Sequence, residues 1–422
     1  VSVVTVVDVE KAADGVLRVG ERDVITPLAR DRATELGVRI ERAGAVAQSR
    51  ELAARFAPKN AARANVAPAR ASLHGAPAGA PAGPHSGALY RRNAYGAGAM
   101  RPIRAGAANG AVADTRPRVA VVGAGHVGAG AALRLAESNR FSRLALVDVV
   151  PGLAAGLALD MWHGAALGAF TTRVEGAEDL ALLADADVVV IAAGRPRTPG
   201  MSRTDLTAAN TEIIRTVAPA IAAHAPGAVI VVITNPLEEM TSLACELSGF
   251  EPKRVVGMGG LLDTARFRSL VGLTGFARPA DVRALVLGSH GAEMVVPLSQ
   301  ASANGIALEE LIGAETLAAI VQRTRESGAE VTGLLRAGSA FMSPAACIAA
   351  QVRAIVDPTE DVIPACVRSR GAYGTADTWL GLPVRLGRSG LREIVQLPLR
   401  PGELAALRDS AKAIGARIAG LN

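Results

Sequence analysis

The chain has 422 residues, half of them apolar but only 3% aromatic, and a net charge of +6. That length supplies a large aliphatic core and more than one domain, and no apolar run approaches the ~20 residues of a membrane-spanning helix, which excludes an integral membrane protein built of helices. The charge sits at one end: residues 1–115 hold 16 basic and 10 acidic side chains and residues 116–422 hold 29 of each, so the basic balance does not describe the larger part of the chain.

Residues 1–42 read as a small ordered unit. Val3–Val9 predicts a strand, and Gly15–Val19 and Val24-Ile25 a further strand or turn. Thr26-Pro27 is a helix start, a capping residue followed by proline at the first helical position, and the helix LARDRATEL stops at Gly37. Val38 and Ile40 then alternate in strand fashion. So short a unit buries little surface alone and is expected to dock on something. The terminus VSVVTVVDVEK has no basic start and is interrupted by Thr5 and Asp8, which argues against a secretory signal.

Residues 43–115 are dominated by Ala, Gly, Pro and Arg, with nine basic residues and one acid, Glu51, between Gly44 and Ala113. Such a composition predicts a flexible basic linker. Ser49–Ala57 places Leu52 and Phe56 on one face of a helical turn, either a transient helix or a docking peptide. Nucleic-acid binding by the linker is a weaker option, because Phe56, Tyr90 and Tyr95 are its few aromatics.

From Arg116 the pattern becomes α/β. The β-branched run Val119–Val122 leads into Gly123-x-Gly125-x-x-Gly128, then an Ala/Leu-rich helical segment, then the apolar run Leu144–Val147, ending at Asp148. Each part has a physical use in binding a dinucleotide. Gly123 permits the turn, Gly125 admits a pyrophosphate to the backbone, and Gly128 lets the helix lie close to the strand. The phosphates take the unpaired N–H groups of the helix start. Asp148, twenty residues past Gly128, can accept bonds from an adenosine ribose. It repels a 2′-phosphate, and Val149-Val150-Pro151 offers no arginine, which favours NAD over NADP. His126, inside the glycine loop, reads as a loop filler.

Ala186–Ala193 and Ala228–Ile233 are continuous apolar strands, with a helix over Ala208–Ala223 between them. Such alternation predicts a doubly wound parallel sheet covered on both faces. After Leu262 a mixed α+β pattern follows, with strands at Ala284–Leu287, Leu382–Leu386 and Ile394–Leu399 and helices over Leu308–Ser327 and Gly402–Ala419. The expected division is 1–42, 43–115, 116–262 and 263–422. Cys245, Cys347 and Cys366 lie in apolar surroundings without a CxxC, so they read as buried thiols of a cytoplasmic protein, and no metal site is expected.

Ligands bind at the carboxyl ends of parallel strands. The loop there, Arg195-Pro196-Arg197-Thr198-Pro199-Gly200-Met201-Ser202-Arg203, is suited to a mobile lid for anions, with Arg195 a solvated member. Beyond it come Thr234-Asn235-Pro236, Asp263-Thr264-Ala265-Arg266 and Gly288-Ser289-His290-Gly291.

The segments AGRPRTPGMSRTDL, ITNPLEEMT, LLDTARFR, LGSHGAEMV and GSAFMSPAA, in this order, resemble the L-lactate/L-malate dehydrogenase family, most of all its lactate-dehydrogenase-like malate dehydrogenases, over about residues 116–422. The resemblance implies an NAD-binding Rossmann domain followed by an α+β catalytic domain. It implies that His290 exchanges the C2 hydroxyl proton, that Asp263 holds and steadies the imidazole, and that Arg266 grips the substrate carboxylate. Arg203, on the lid, polarises the C2 carbonyl. Arg197 stands where malate enzymes bind the second carboxylate and lactate enzymes carry Gln. Asn235 bonds substrate and cofactor, Asn210 and Ile233 border the cofactor, and Ser302 keeps a substrate-site hydroxyl. Family members are dimers or tetramers, so a homo-oligomer is implied.

These assignments are chemically sensible. An imidazole titrates near the working pH, and a guanidinium matches a carboxylate bidentately. The chain departs from the family at Ser289 for Gly, Ala292 for Asp and Gln300 for an aromatic. The expected activity is reversible oxidation of (S)-malate with NAD. The alternatives are an L-lactate or other 2-hydroxyacid dehydrogenase and, in another class, a docking protein with a weakened dehydrogenase body. The stretch GERDVITPLARDRATELGVRIER resembles a short segment of bacterial microcompartment-associated enzymes, implying a shell or enzyme partner for residues 1–60, the alternative being a lineage-specific tail without a function.

Overall fold

A computed structural model describes residues 3–12, 15–20, 23–25, 27–42, 114–195, 202–291, 293–336 and 338–421. The basic linker up to residue 113, the capping Thr26 and Arg197 lie outside the described residues, and of Arg203 only the main chain is described. Two compact units result, one N-terminal and one built from residues 112–332 and 338–422.

In the N-terminal unit β1 (Val3–Val4) is followed by α1 (Val6–Glu10), β2 (Val16–Val19), β3 (Val24–Ile25), α2 (Pro27–Leu36) and β4 (Arg39–Arg42). β1 pairs in parallel with β3, and β2 with β4. Val4, Val9, Val19, Ile25, Ala29 and Ala33 form its core. The strand expected over Val3–Val9 is corrected: only two residues are extended. Asp8 accepts from Thr5 N at 2.7 Å and Thr5 Oγ1 at 2.9 Å, and this cap turns the valine run into a helix.

The larger unit opens with β5 (Arg118–Val122), α3 (His126–Glu137), β6 (Arg143–Val147), α4 (Leu153–Gly168), β7 (Arg173–Ala177), β8 (Val188–Ile191), α5 (Arg203–His224), β9 (Val229–Val232), α6 (Leu237–Ser248), β10 (Val255–Gly257) and α7 (Gly260–Gly272). Short strands β11 (Val282–Arg283), β12 (Leu287–Gly288), β13 (Met294–Val295), β14 (Ser302–Ala303) and β15 (Ile306–Ala307) follow, then α8 (Leu308–Leu311), α9 (Ala314–Leu335), α10 (Met342–Val356), β16 (Ile363–Arg368), β17 (Trp379–Gly387), β18 (Gly390–Ile394) and α11 (Pro401–Ala419).

One sheet of 11 strands runs β13-β12-β17-β16-β10-β9-β8-β5-β6-β7, with β18 on β17. Its β10-to-β7 part is wholly parallel. That is the doubly wound order, reversing between β5 and β8, and the reversal leaves a crevice at the carboxyl ends of the strands. Val119 and Val121 of β5 join one core while Ala120 and Val122 join another, so the strand is apolar throughout because both faces are covered. Antiparallel pairing begins where Gly257 of β10 meets Cys366 of β16.

Several expected elements are revised. Ala284–Leu287 is not one strand: 282–283 pairs in a separate three-stranded sheet, 287–288 joins the large one, and between them Val286 N donates to Thr264 Oγ1 at 2.8 Å. The helix over Leu308–Ser327 breaks at the extended Ile312, then runs on to Leu335. Ile394–Leu399 is not a strand, because β18 ends at Ile394 and Leu397 N donates to the Tyr373 hydroxyl instead of a ladder. Cys347 and Cys366 are buried as expected, while Cys245 is only partly so. No helix among the described residues is long and apolar enough to cross a membrane.

Candidate active site

The glycine loop joins β5 to α3. Gly123 has φ +102°, and a Cβ there would lie 2.4 Å from Ala193 N, so the position requires glycine. A Cβ on Gly128 would lie 1.8 Å from Gly123 O, which is the close helix–strand approach expected of it. Gly125 differs: a Cβ would meet nothing within 4 Å. It is the N-cap of α3 and has no side-chain cap, so this helix start faces open space. Asp148, at the end of β6, accepts from Ala124 N at 2.7 Å and Val150 N at 2.9 Å, which holds its carboxylate beside that loop. A pyrophosphate on the helix start and a ribose on the carboxylate fit these features. His126 is more than filler, since its ring packs on Phe341 with centroids 5.2 Å apart and so brings GSAFMSPAA to the glycine loop.

Loops after β8 and β9 are tied together. Thr234 Oγ1 donates to Ala193 O at 2.6 Å. Asn210 is 1% exposed, accepts from Arg195 N at 2.8 Å and donates to Asn235 O at 2.6 Å. It braces both loops and does not present its own side chain to the crevice. Asn235 is exposed, and Ile233 is partly buried against the core.

At the edge of this crevice a second group assembles. α7 carries Asp263 and, one turn on, Arg266, while the loop between β12 and β13 carries His290. His290 Nδ1 lies 2.6 Å from Asp263 Oδ2, and Arg266 Nη1 donates to Asp263 Oδ1 at 3.0 Å. Asp263 is fully buried; the side chains of His290 and Arg266 remain 17% and 16% exposed. A carboxylate only accepts, so Nδ1 carries the proton and Nε2 is left for a reacting group. Asp263 raises the imidazole above its ordinary value, against the opposing effect of burial. Burial would raise the Asp263 carboxyl, but His290 and Arg266 together outweigh it and hold it below the usual carboxylate range.

Ser302 lies in β14, laddered to Arg283 and Ala307 in the small sheet, and no hydrogen bond among the described residues ties it to His290, Asp263, Arg266 or Asn235. Sequence reasoning passed over Glu238, whose Oε1 accepts from His290 N at 2.6 Å. An acid in a first helical turn reads as a solvated dipole partner, and no sequence signal marks this one as 2% exposed.

Residues 117–257 match the lactate/malate dehydrogenase NAD binding domain, and residues 261–420 match the lactate/malate dehydrogenase alpha/beta C-terminal domain. Malate dehydrogenase of Chlorobium phaeovibrioides is 41% identical over 294 residues, 70% of this chain and 95% of the relative. That of Roseiflexus castenholzii is 38% identical over 306 residues, 72% of this chain and 99% of the relative. Among solved structures, malate dehydrogenase from Salinibacter ruber superposes with a TM-score of 0.69 at 36% identity, over 72% of this chain and 97% of the other. The lactate dehydrogenase of Cryptosporidium parvum, complexed with lactic acid and nicotinamide adenine dinucleotide, superposes with a TM-score of 0.70 at 32% identity, over 73% and 98%.

Proposed function

The chain belongs to the lactate/malate dehydrogenase family, and from that membership we propose that it oxidises (S)-malate reversibly to oxaloacetate with NAD⁺, His290 serving as general acid/base. The observation that carries the reading is the 2.6 Å bond from His290 Nδ1 to a buried carboxylate that Arg266 also holds. NAD⁺ supplies the hydride acceptor. His290 Nε2 takes the C2 hydroxyl proton, and Asp263 stabilises the imidazolium that results. Arg266, steadied by Asp263, pairs with the C1 carboxylate. Arg203 polarises the C2 oxygen, Arg197 binds the second carboxylate, and Asn235 bonds the substrate. Gly123, Gly125, Gly128 and Asp148 form the cofactor cradle, with Ile233 along it and Asn210 bracing its loops.

Following NADH absorbance with oxaloacetate and with pyruvate tests this reading. Oxaloacetate is the better substrate; a preference for pyruvate would overturn it. The second reading, a lactate or other 2-hydroxyacid dehydrogenase, is favoured by the Cryptosporidium parvum lactate dehydrogenase, whose superposition is as close as that of the malate enzymes. Binding of NADH without turnover of either acid would favour a docking protein, as Ser289 and Ala292 allow.

The body forms dimers or tetramers. α4 buries only Ala154, Ala158 and Ala165 and leaves Leu159, Trp162 and Leu167 exposed, an apolar face that a second copy would cover. Sedimentation of wild type against Trp162→Glu tests this, with the variant shifting toward monomer. The chain divides at 42, 115 and 262, and residues 1–60 dock on a microcompartment shell or enzyme partner in the cytoplasm. A fluorescent fusion of those residues, imaged for puncta in the native host, tests the docking.

A further inference from the structure

Glu238 and Glu239 open the first turn of α6, and both are almost wholly buried, at 2% and 3% exposure. Buried acids are costly unless hydrogen-bonded. Their partners converge on one loop, the stretch 288–293 that carries His290. Glu238 Oε1 accepts from His290 N at 2.6 Å. Glu239 Oε1 accepts from Arg417 Nε at 3.0 Å, and the other nitrogens of Arg417 reach Glu293 Oε1 and Ser289 Oγ, each at 3.4 Å. Ser289 N donates to Ser410 Oγ at 2.9 Å. The loop is therefore held from α6 by a carboxylate and from α11 by a hydroxyl and a guanidinium.

We propose that Glu238 is a positioning residue for the hydride-transfer site, fixing the main chain of His290 while Asp263 fixes its ring, and acting as a second negative neighbour of the imidazole. The inference rests on the reading of His290 as the acid/base. The Nδ1 bond fixes the ring, and Ser410 and Arg417 hold Ser289 and Glu293 on either side. Among the described residues Glu238 is the side chain that holds the backbone nitrogen of His290, and that bond sets where Nε2 points. Misplacement of a reacting group by about 1 Å costs on the order of 10²-fold in rate.

The electrostatics agree with the geometry. Burial pushes the Glu238 carboxyl above the usual carboxylate range, and the His290 N–H offsets this only in part. Glu238 adds to Asp263 in raising the imidazole. Among the described residues, the other charged groups that bond to Asp263 or to this loop and its anchors are Arg266 from α7, Glu239 on α6, Arg417 on α11 and Glu293 in the loop itself.

Glu238→Gln and Glu238→Leu in the full-length protein separate the two contributions. Gln keeps an oxygen to accept the His290 N–H and loses the charge, whereas Leu loses both. Steady-state oxaloacetate reduction, NADH binding by fluorescence and NMR titration of ¹³C-labelled histidines are measured together, with His290→Asn identifying the resonance. For Glu238→Gln, the His290 midpoint falls and the alkaline decline of oxaloacetate reduction moves to lower pH with it, with a smaller loss of kcat at fixed pH than in Glu238→Leu. For Glu238→Leu, kcat falls by about 10²-fold while NADH affinity is unchanged. A folded Glu238→Leu with wild-type kcat overturns the proposal. If that variant does not fold, an unmoved midpoint in Glu238→Gln overturns it alone. The midpoint needs no turnover, so an inactive wild-type protein counts against the reaction, and a lowered midpoint in Glu238→Gln still counts for Glu238.

Discussion

His290 and Asp263 meet at 2.6 Å although 27 residues and two different elements separate them in the chain. The second oxygen of the same carboxylate holds Arg266. One buried acid therefore sets the imidazole and the guanidinium in a fixed relation to each other. That relation makes Asp263 the most sensitive single position outside the substrate contacts.

Replacing it tests this directly. Asp263→Asn leaves the imidazole ring without its hydrogen-bonded carboxylate and removes the charge that anchors Arg266. We expect kcat for oxaloacetate reduction to fall by about 10²–10⁴-fold, with NADH binding retained because the glycine loop is untouched. Single-turnover rates and fluorescence titration measure the two quantities. A loss smaller than about tenfold would mean that another group orients the ring.

The pH dependence has a definite sign. Asp263 raises His290 above the ordinary value of about 6.5, and burial only partly offsets this. Malate oxidation needs the neutral ring, so its acidic limb lies above ~6.5 and moves down in Asp263→Asn. Oxaloacetate reduction needs the imidazolium, so it persists to higher pH and declines through the same value. Stability follows the same groups. The contribution of His290 is complete below ~6.5 and is lost as pH rises through its raised folded value. That of Asp263 is present above ~3.9 and is lost as pH falls through its lowered folded value. Rate profiles in both directions and denaturant midpoints across pH check both statements.

Substrate choice is proposed to rest with Arg197, which lies outside the described residues. A guanidinium opposite the distal carboxylate favours a four-carbon diacid, and an unpaired partner costs roughly 10²–10⁵-fold in discrimination. Arg197→Gln is expected to lower kcat/KM for oxaloacetate far more than for pyruvate. Equal losses on both acids would place Arg197 outside substrate recognition.

What could be read from the residues and what could not have physical reasons. The parallel strands were legible because burial on both faces writes an unbroken apolar run, as in Val188–Ile191 and Val229–Val232. His290, Asp263 and Arg266 were legible only through motif order, since nothing local marks residues that meet across the fold. Short antiparallel strands such as β11 and β12 carry two residues each and leave no period to detect. The valines near the N-terminus favour a strand, and a cap from Asp8 overrides them. Glu238 and Arg417 look like surface charges, because their burial is decided by the packing of α6 against α11, far apart in sequence.

The three glycines of the dinucleotide loop separate folding from binding. Gly128 touches its own backbone: a Cβ would lie 1.8 Å from Gly123 O, so Gly128→Ala forces α3 away from β5. Overpacking of this kind costs about 1–3 kcal/mol or more, so the melting temperature should fall together with NADH affinity. Gly125 has φ −65°, and a Cβ would find open space, so Gly125→Ala should fold with an unchanged melting temperature. Its methyl would stand where a pyrophosphate approaches the helix start, so NADH affinity alone should fall, by about tenfold or more, for a loss of ~1.4 kcal/mol. Thermal melts with and without NADH distinguish the two, since a bound ligand raises the melting temperature in proportion to its affinity. If Gly125→Ala bound NADH as tightly as wild type, the open space at this helix start would not be the pyrophosphate site, and the cofactor cradle would have to lie elsewhere along the crevice.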